Sequence, residues 1–278
     1  MCLPGTVAAV REHTDREGVS RRAVLAGGGA AALAALAPGS AAAHERHGKR
    51  RRGRVADLTH LFREGFPVYV GDSADRSPLN DLATDGFYAQ TWTFGEHTGT
   101  HMDAPGHFTA GGRLVPQLRP EEFFAPIAVI DIAARAAADP DTVVTRDDLR
   151  AYERHHGRIP HGAAVLMNSG WDVRVGDEAA FKNADASGTF HFPGWSEEAV
   201  AWLLARRGAA IIGVDTLSLD PGNATYFGVH VTWLGADRFG LEALANLGSI
   251  PPRGAELIVG IVPFEEGSGG PCRVLARY

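Results

Sequence analysis

The sequence predicts a mixed α/β fold, and three observations carry the prediction. From Val55 to the C-terminus, apolar segments of β type alternate with segments that open on helix-capping residues. Glycine and proline, 34 and 16 of the 278 residues, recur between these segments and keep each element short. A hydrophobic content of 45% with 22% charged residues is enough for one sizeable core. One domain over residues 55–278 is therefore expected.

The chain before it reads differently. Ser20-Arg21-Arg22-Ala23-Val24-Leu25 opens an Ala/Gly/Leu-rich stretch that ends at Ser40-Ala41-Ala42-Ala43. Paired arginines before a moderately apolar segment, then small residues of the A-x-A type, predict a twin-arginine export signal over residues 1–43, and hence a periplasmic or extracellular protein. The apolar part, residues 23–37, is shorter than the roughly 20 residues a membrane span needs, so no stable span is expected. The basic stretch within residues 44–54 reads as a solvated linker. Cys2 falls in the signal, which leaves Cys272 alone and no intrachain disulfide. A net charge of −6 offers nothing to a phosphate backbone, so no nucleic-acid partner is expected.

Each element follows from its residues. Residues 88–94, Tyr-Ala-Gln-Thr-Trp-Thr-Phe, alternate as a half-buried strand does. Residues 126–132 and 163–167 are continuous apolar runs suited to buried strands, and between them Thr145 is the expected N-cap of a helix. A second helix is expected over residues 196–207, with Ser196 as cap, Glu197 and Glu198 at the positive end of the dipole and Arg206 and Arg207 at the negative end. Residues 210–215 read as a central strand whose last residue, Asp215, is expected to face a ligand cleft, because such strand ends commonly do. Residues 255–262 and 272–276 close the sheet, and no internal repeat is visible.

The chemistry lies in His97-Thr-Gly-Thr-His101-Met-Asp103-Ala-Pro-Gly-His107. Two imidazoles and a carboxylate at offsets of four and two suit zinc, manganese or a similar divalent ion, and three protein ligands leave positions for water. Gly99 allows the backbone turn that brings two histidines to one point, and Pro105 stiffens the exit towards His107. His107 is the expected general acid/base, with a fourth ligand or a supporting hydrogen-bond residue as the alternative. On its own pattern His230 reads as a helix-surface residue.

The run His97-x-Gly-Thr-His101-x-Asp103-x-Pro105-x-His107-Phe108 resembles the motif of the cyclase family, which includes bacterial kynurenine formamidases and isatin hydrolases. Phe66-Pro-Val-Tyr-Val-Gly-Asp72, Phe192-Pro-Gly194 and Gly213-Val-Asp-Thr-Leu-Ser218 extend the resemblance over nearly all of the chain after Val55, and Gly267-Ser-Gly-Gly-Pro271 resembles a loop that faces the site. The resemblance implies a swivelling β/β/α fold and a dimer or tetramer. It implies one or two zinc or manganese ions, the first on His97, His101 and Asp103, with Asp103 and Glu242 bridging to a second held also by His230. It further implies hydrolysis of a C–N amide bond in a small substrate, an aryl formamide or a cyclic amide. Tyr69, followed by Val70, stands where the formamidases commonly carry Trp, so both the aryl formamide and the cyclic amide stay open. Tyr69, Trp92, Phe94 and Trp171 are candidates for an aromatic pocket, with packing in the core as the commoner alternative for aromatic side chains near strand ends. A lactone hydrolase, a lyase or dehydratase, and a non-catalytic metal-binding protein are the alternative readings.

Overall fold

The computed structural model describes residues 53–278. The expected export segment and the linker up to residue 52 lie outside the described residues. Among the described residues, no helix is long and apolar enough to cross a membrane. The chain divides into two units.

The smaller unit includes residues 76–92. Strands β2 (Asp75–Asn80) and β3 (Ala89–Thr93) pair as a two-stranded sheet, joined through the short helix α1 (Leu82–Asp85). Asp81 caps that helix, accepting from the amides of Ala83 at 2.8 Å and Thr84 at 3.3 Å. The Arg76 guanidinium lies over the Trp92 ring.

The larger unit, residues 53–75 and 93–278, is built on a closed ring of seven strands. Its elements are β1 (Val55–Asp57), β4 (His101–Asp103), β5 (Phe124–Asp131), α2 (Ala133–Ala138), β6 (Val143–Val144), α3 (Arg146–His156), β7 (Ala164–Asn168), α4 (Glu178–Lys182), β8 (Gly194–Trp195), α5 (Glu197–Arg207), β9 (Ile211–Val214), α6 (Gly228–Gly235), β10 (Phe239–Glu242), β11 (Arg253–Ile261) and β12 (Gly269–Arg277). Strands β5, β7, β9 and β10 run parallel in that order, while β11, β12 and β4 complete the ring by antiparallel pairing. Closure depends on the length of β12: its first residues, Gly269 to Pro271, pair with β4, and its last, Leu275 to Arg277, pair with β1. A ring closed in this way leaves no exposed edge among its seven strands.

Both faces of the parallel strands are buried, which is why they read as unbroken apolar runs rather than alternating ones. Ile127, Val129, Leu166, Ile211, Leu241 and Leu257 point into the ring. Ile130, Val165, Met167 and Val214 point outwards, against Leu149 of α3, Leu203 of α5 and Trp233 of α6. Each such aliphatic side chain contributes about 1.5–3 kcal/mol by leaving water.

The expected helix starts are present. The Thr145 hydroxyl accepts from the Asp148 amide at 3.3 Å and the Asp148 carboxylate accepts from the Thr145 amide at 2.8 Å, a reciprocal cap for α3. Ser196 accepts from the Ala199 amide at 3.2 Å to open α5, and Gly208, at φ +58°, ends it. The fold class is therefore as expected, mixed α/β, while closure into a ring is an addition that no local periodicity indicates.

Candidate metal centre

Four strand and helix ends bring the polar residues of the site together. His101 and Asp103 begin and end β4, two residues apart and so on one face of the strand. Glu242, the last residue of β10, pairs directly with His101 across the antiparallel ladder. His230 lies in the first turns of α6, and His97 in the loop before β4. Gly99 makes that loop possible: its φ is +74°, and a Cβ there would stand 2.7 Å from the Phe62 ring.

The two carboxylates each offer one oxygen to each side. Asp103 Oδ1 is 2.6 Å from His97 Nδ1 and 3.4 Å from His101 Nε2, whereas Asp103 Oδ2 is 3.4 Å from His230 Nε2. Glu242 Oε2 is 3.3 Å from His101 Nε2 and Oε1 is 3.1 Å from His230 Nε2. The outer nitrogens are occupied elsewhere: His101 Nδ1 is 2.9 Å from the Gly99 carbonyl and His230 Nδ1 is 2.6 Å from Asp220 Oδ2. Asp220 also accepts from the amides of Val229 and His230, which anchors the start of α6. His107 stacks on His97 with ring centroids 3.8 Å apart.

Electrostatics at this point are dominated by burial and by the carboxylates. Burial alone depresses the His101 imidazole, but the Asp103 and Glu242 carboxylates outweigh it and lift it to about 10. His230 is raised in the same way, and Asp103 is held well below the usual carboxylate range. Burial takes His107 the other way, down to about 4, with Asp103 opposing and His97 and His230 adding to the fall.

The donor set fits a divalent cation. His101 Nε2 and Asp103 Oδ2 are fully buried with no hydrogen-bond partner, a costly state for polar atoms in so dry a place. His101, Asp103 and Glu242 have ligand atoms within 4.8 Å of one another, as do His97, Asp103 and His107, so Asp103 is common to both groups. Imidazole with carboxylate oxygen is the ligand mixture of zinc and manganese sites.

Residues 56–221 match the model of the Cyclase family, described as "Putative cyclase". The chain belongs to the cyclase family. It is 39% identical over 240 residues to the isatin hydrolase of Roseibium aggregatum, covering 80% of this chain and 90% of that protein. It is 26% identical to the kynurenine formamidase of Erythrobacter litoralis over 81% of this chain and 94% of that one. The solved structure of isatin hydrolase A from Ralstonia solanacearum superimposes with a TM-score of 0.77 at 39% identity, over 81% of this chain and 92% of that one.

Within this cyclase-family chain, the metal-type residues open onto a cavity of about 600 Å3 whose apolar wall is formed chiefly by Tyr69, Phe94, Phe108, Leu217 and Phe227. Tyr69 and Phe94 thus stand where the sequence places them, and the other two expected aromatics do not. Trp171 is 1% exposed and packs with Phe66, Phe181 and Phe192, its indole N–H donating to the Phe181 carbonyl at 2.8 Å. It is a core residue because its one polar atom finds a backbone partner away from the cavity. Trp92 belongs to the β2–β3 hairpin and is not among the lining residues. Asp215 is corrected too: it is fully buried and accepts from the Ser169 amide and hydroxyl and from the Trp171 amide, so it braces two strand ends instead of facing a ligand. Burial pushes its carboxyl up to about 7. His230, a surface residue on its own pattern, is buried. The expected metal ligands and His107 converge, and Gly267-Ser-Gly-Gly-Pro271 faces the site through Ser268, 3.1 Å from His97 Nε2. Sequence reasoning did not single out Glu96, Asp220 or Phe227; Glu96 meets Ser268 across 172 positions and Asp220 meets His230 across ten, contacts that leave no periodic pattern.

Proposed function

We propose that this protein is a metal-dependent hydrolase that opens the C–N amide bond of a small aromatic cyclic amide of the isatin type. The observation that carries the reading is the convergence of His101 Nε2, Asp103, His230 Nε2 and Glu242, two of whose atoms are buried without partners, on an aromatic-walled cavity. The cavity volume lies within the range of small-molecule sites. Similarity to an isatin hydrolase over nine tenths of its length supports the substrate class.

His97, His101 and Asp103 Oδ1 would hold one zinc or manganese ion, and His230, Asp103 Oδ2 and Glu242 Oε1 a second, because only the carboxylates have an oxygen for each side. When bound, such ions lower the pKa of water towards neutrality and polarise an amide carbonyl. The remaining work falls to the chain itself. The Tyr69, Phe94, Phe108 and Phe227 rings hold the aryl face of the substrate so that its carbonyl carbon meets the carboxylate side of the cavity. His107, neutral at physiological pH, accepts the proton of the attacking water at a ring nitrogen and returns it to the departing amide nitrogen as the C–N bond breaks. The products are an aryl amine and a carboxyl group on one molecule, the latter becoming a carboxylate as it releases its remaining proton to solvent.

Elemental analysis of the purified protein, combined with turnover of isatin and of N-formylkynurenine, tests this reading. Bound zinc or manganese is expected, with isatin hydrolysis abolished by a chelator and restored by the ion. No bound metal and no restoration would reject the hydrolase, and a preference for N-formylkynurenine would reject the cyclic substrate.

Export is part of the same proposal and rests on Arg21 and Arg22. Changing both to Lys is expected to leave precursor inside a bacterial host that has the twin-arginine route. Undiminished export of the variant would refute the signal.

A further inference from the structure

The structure assigns Glu96 and Ser268 as positioning residues that set the tautomer of His97, so that its Nδ1 lone pair faces Asp103. This inference rests on the metal reading above and deepens it. Its basis is a count of protons. Glu96 Oε2 accepts from the Ser268 amide at 3.0 Å and lies 2.6 Å from the Ser268 hydroxyl oxygen. A carboxylate can only accept, so the single hydroxyl proton of Ser268 is committed to Glu96. Ser268 Oγ is then an acceptor for His97 Nε2, 3.1 Å away, and the ring proton of His97 sits on Nε2. In the neutral ring Nδ1 then keeps its lone pair and points at Asp103 Oδ1 across 2.6 Å, so that a metal ion can take the place a proton holds between them in its absence. Two lone-pair atoms at that distance need a cation beside them.

The other two histidines follow the same logic with the ring reversed. In His101 and His230 the Nδ1 proton goes to the Gly99 carbonyl and to Asp220, and Nε2 turns inwards. Outer partners of this kind fix which imidazole nitrogen can serve as a ligand. For His97 the inward atom is Nδ1, so its partner has to come from the opposite side, and the loop before β12 supplies it. Gly269 completes the slot: a Cβ there would stand 2.6 Å from His97 Cε1 and would also strike the Met102 carbonyl, so only a glycine leaves room for the ring at that distance. The alternative is that Glu96 and Ser268 only tie two loops together, in which case the tautomer and the metal affinity would not depend on them.

Three variants of the full chain separate these readings: Ser268→Ala, which removes the acceptor; Glu96→Gln, which frees the hydroxyl proton to turn towards His97; and Ser268→Thr, which keeps the hydroxyl. The probe is zinc alone, its dissociation constant measured by competition with a chromogenic chelator. Nitrogen-15 spectra of the zinc-loaded, histidine-labelled protein and melting temperatures of the metal-stripped proteins accompany it. Ser268→Ala and Glu96→Gln are expected to weaken zinc binding by about 10–100-fold. Ser268→Thr is expected to restore it. The stripped variants are expected to melt with the parent, whose spectrum is expected to place the His97 proton on Nε2. Parental zinc affinity in both weakened variants, or a proton on His97 Nδ1, would overturn the inference while leaving the metal reading intact. A parent protein that binds no zinc or manganese would overturn both.

Discussion

Asp103→Asn is expected to give a folded protein that retains no divalent ion and hydrolyses its substrate on the order of 10³-fold more slowly, the loss that follows when several kcal/mol of charge stabilisation disappear from the transition state. The substitution keeps the volume of a fully buried side chain and removes the charge that His97, His101 and His230 share. The unmodified protein adds a dependence on pH. With His101 lifted to about 10 by the two carboxylates, against its burial, a metal has to displace a proton at every pH below that value. Affinity is therefore expected to rise with pH, about tenfold per unit for each proton displaced. Chelator competition between pH 6 and 9 reads both effects. An Asp103→Asn variant that holds the ion as tightly as its parent would remove Asp103 from the ligand set.

His107→Gln is expected to spare the metal and to lower kcat by about 10²–10⁴-fold, the usual contribution of a positioned acid/base group. His107 stacks on His97 and lines the cavity, so it reaches the substrate's side of the site without being needed to bury the carboxylates. Because burial brings its imidazole down to about 4, the neutral, proton-accepting form persists well below pH 6.5. At saturating metal, kcat/KM is expected to stay level from pH 7 to 5 and to fall as pH drops through about 4. That acid limb should be absent from the Gln variant. Loss of metal equal to that in Asp103→Asn would instead make His107 a ligand, which its proximity to His97 and Asp103 makes a concrete alternative outcome.

How much of this was legible in the chain differs residue by residue. Thr145 and Ser196 cap their helices as expected because a cap is a contact between residues three apart, and the information for it is local. His97 and His101 each reach Asp103 Oδ1 for a related reason: a turn at Gly99 and one short strand carry all three. The aromatic pocket divided evenly. Tyr69 and Phe94 face the cavity, but whether Trp171 faced it or the core depended on the Phe181 carbonyl ten residues away in a separate element. Asp215 was misjudged for the same reason, since the amides and hydroxyl that claim its carboxylate come from the end of a neighbouring strand.

By itself, then, the sequence determined the mixed α/β class, the helix starts at Thr145 and Ser196, and a local ligand motif specific enough to imply the family. Only the tertiary structure decided that β12 closes the ring, that Glu242 lies opposite His101, and that His230 is buried with its Nε2 turned inwards. It alone brought Asp220 to His230 Nδ1, and Ser268, held by Glu96, to His97 Nε2. These pairings join residues from 10 to 172 positions apart. Apolar packing on both faces of the sheet brings them together, and no periodicity in the chain records a contact that packing creates.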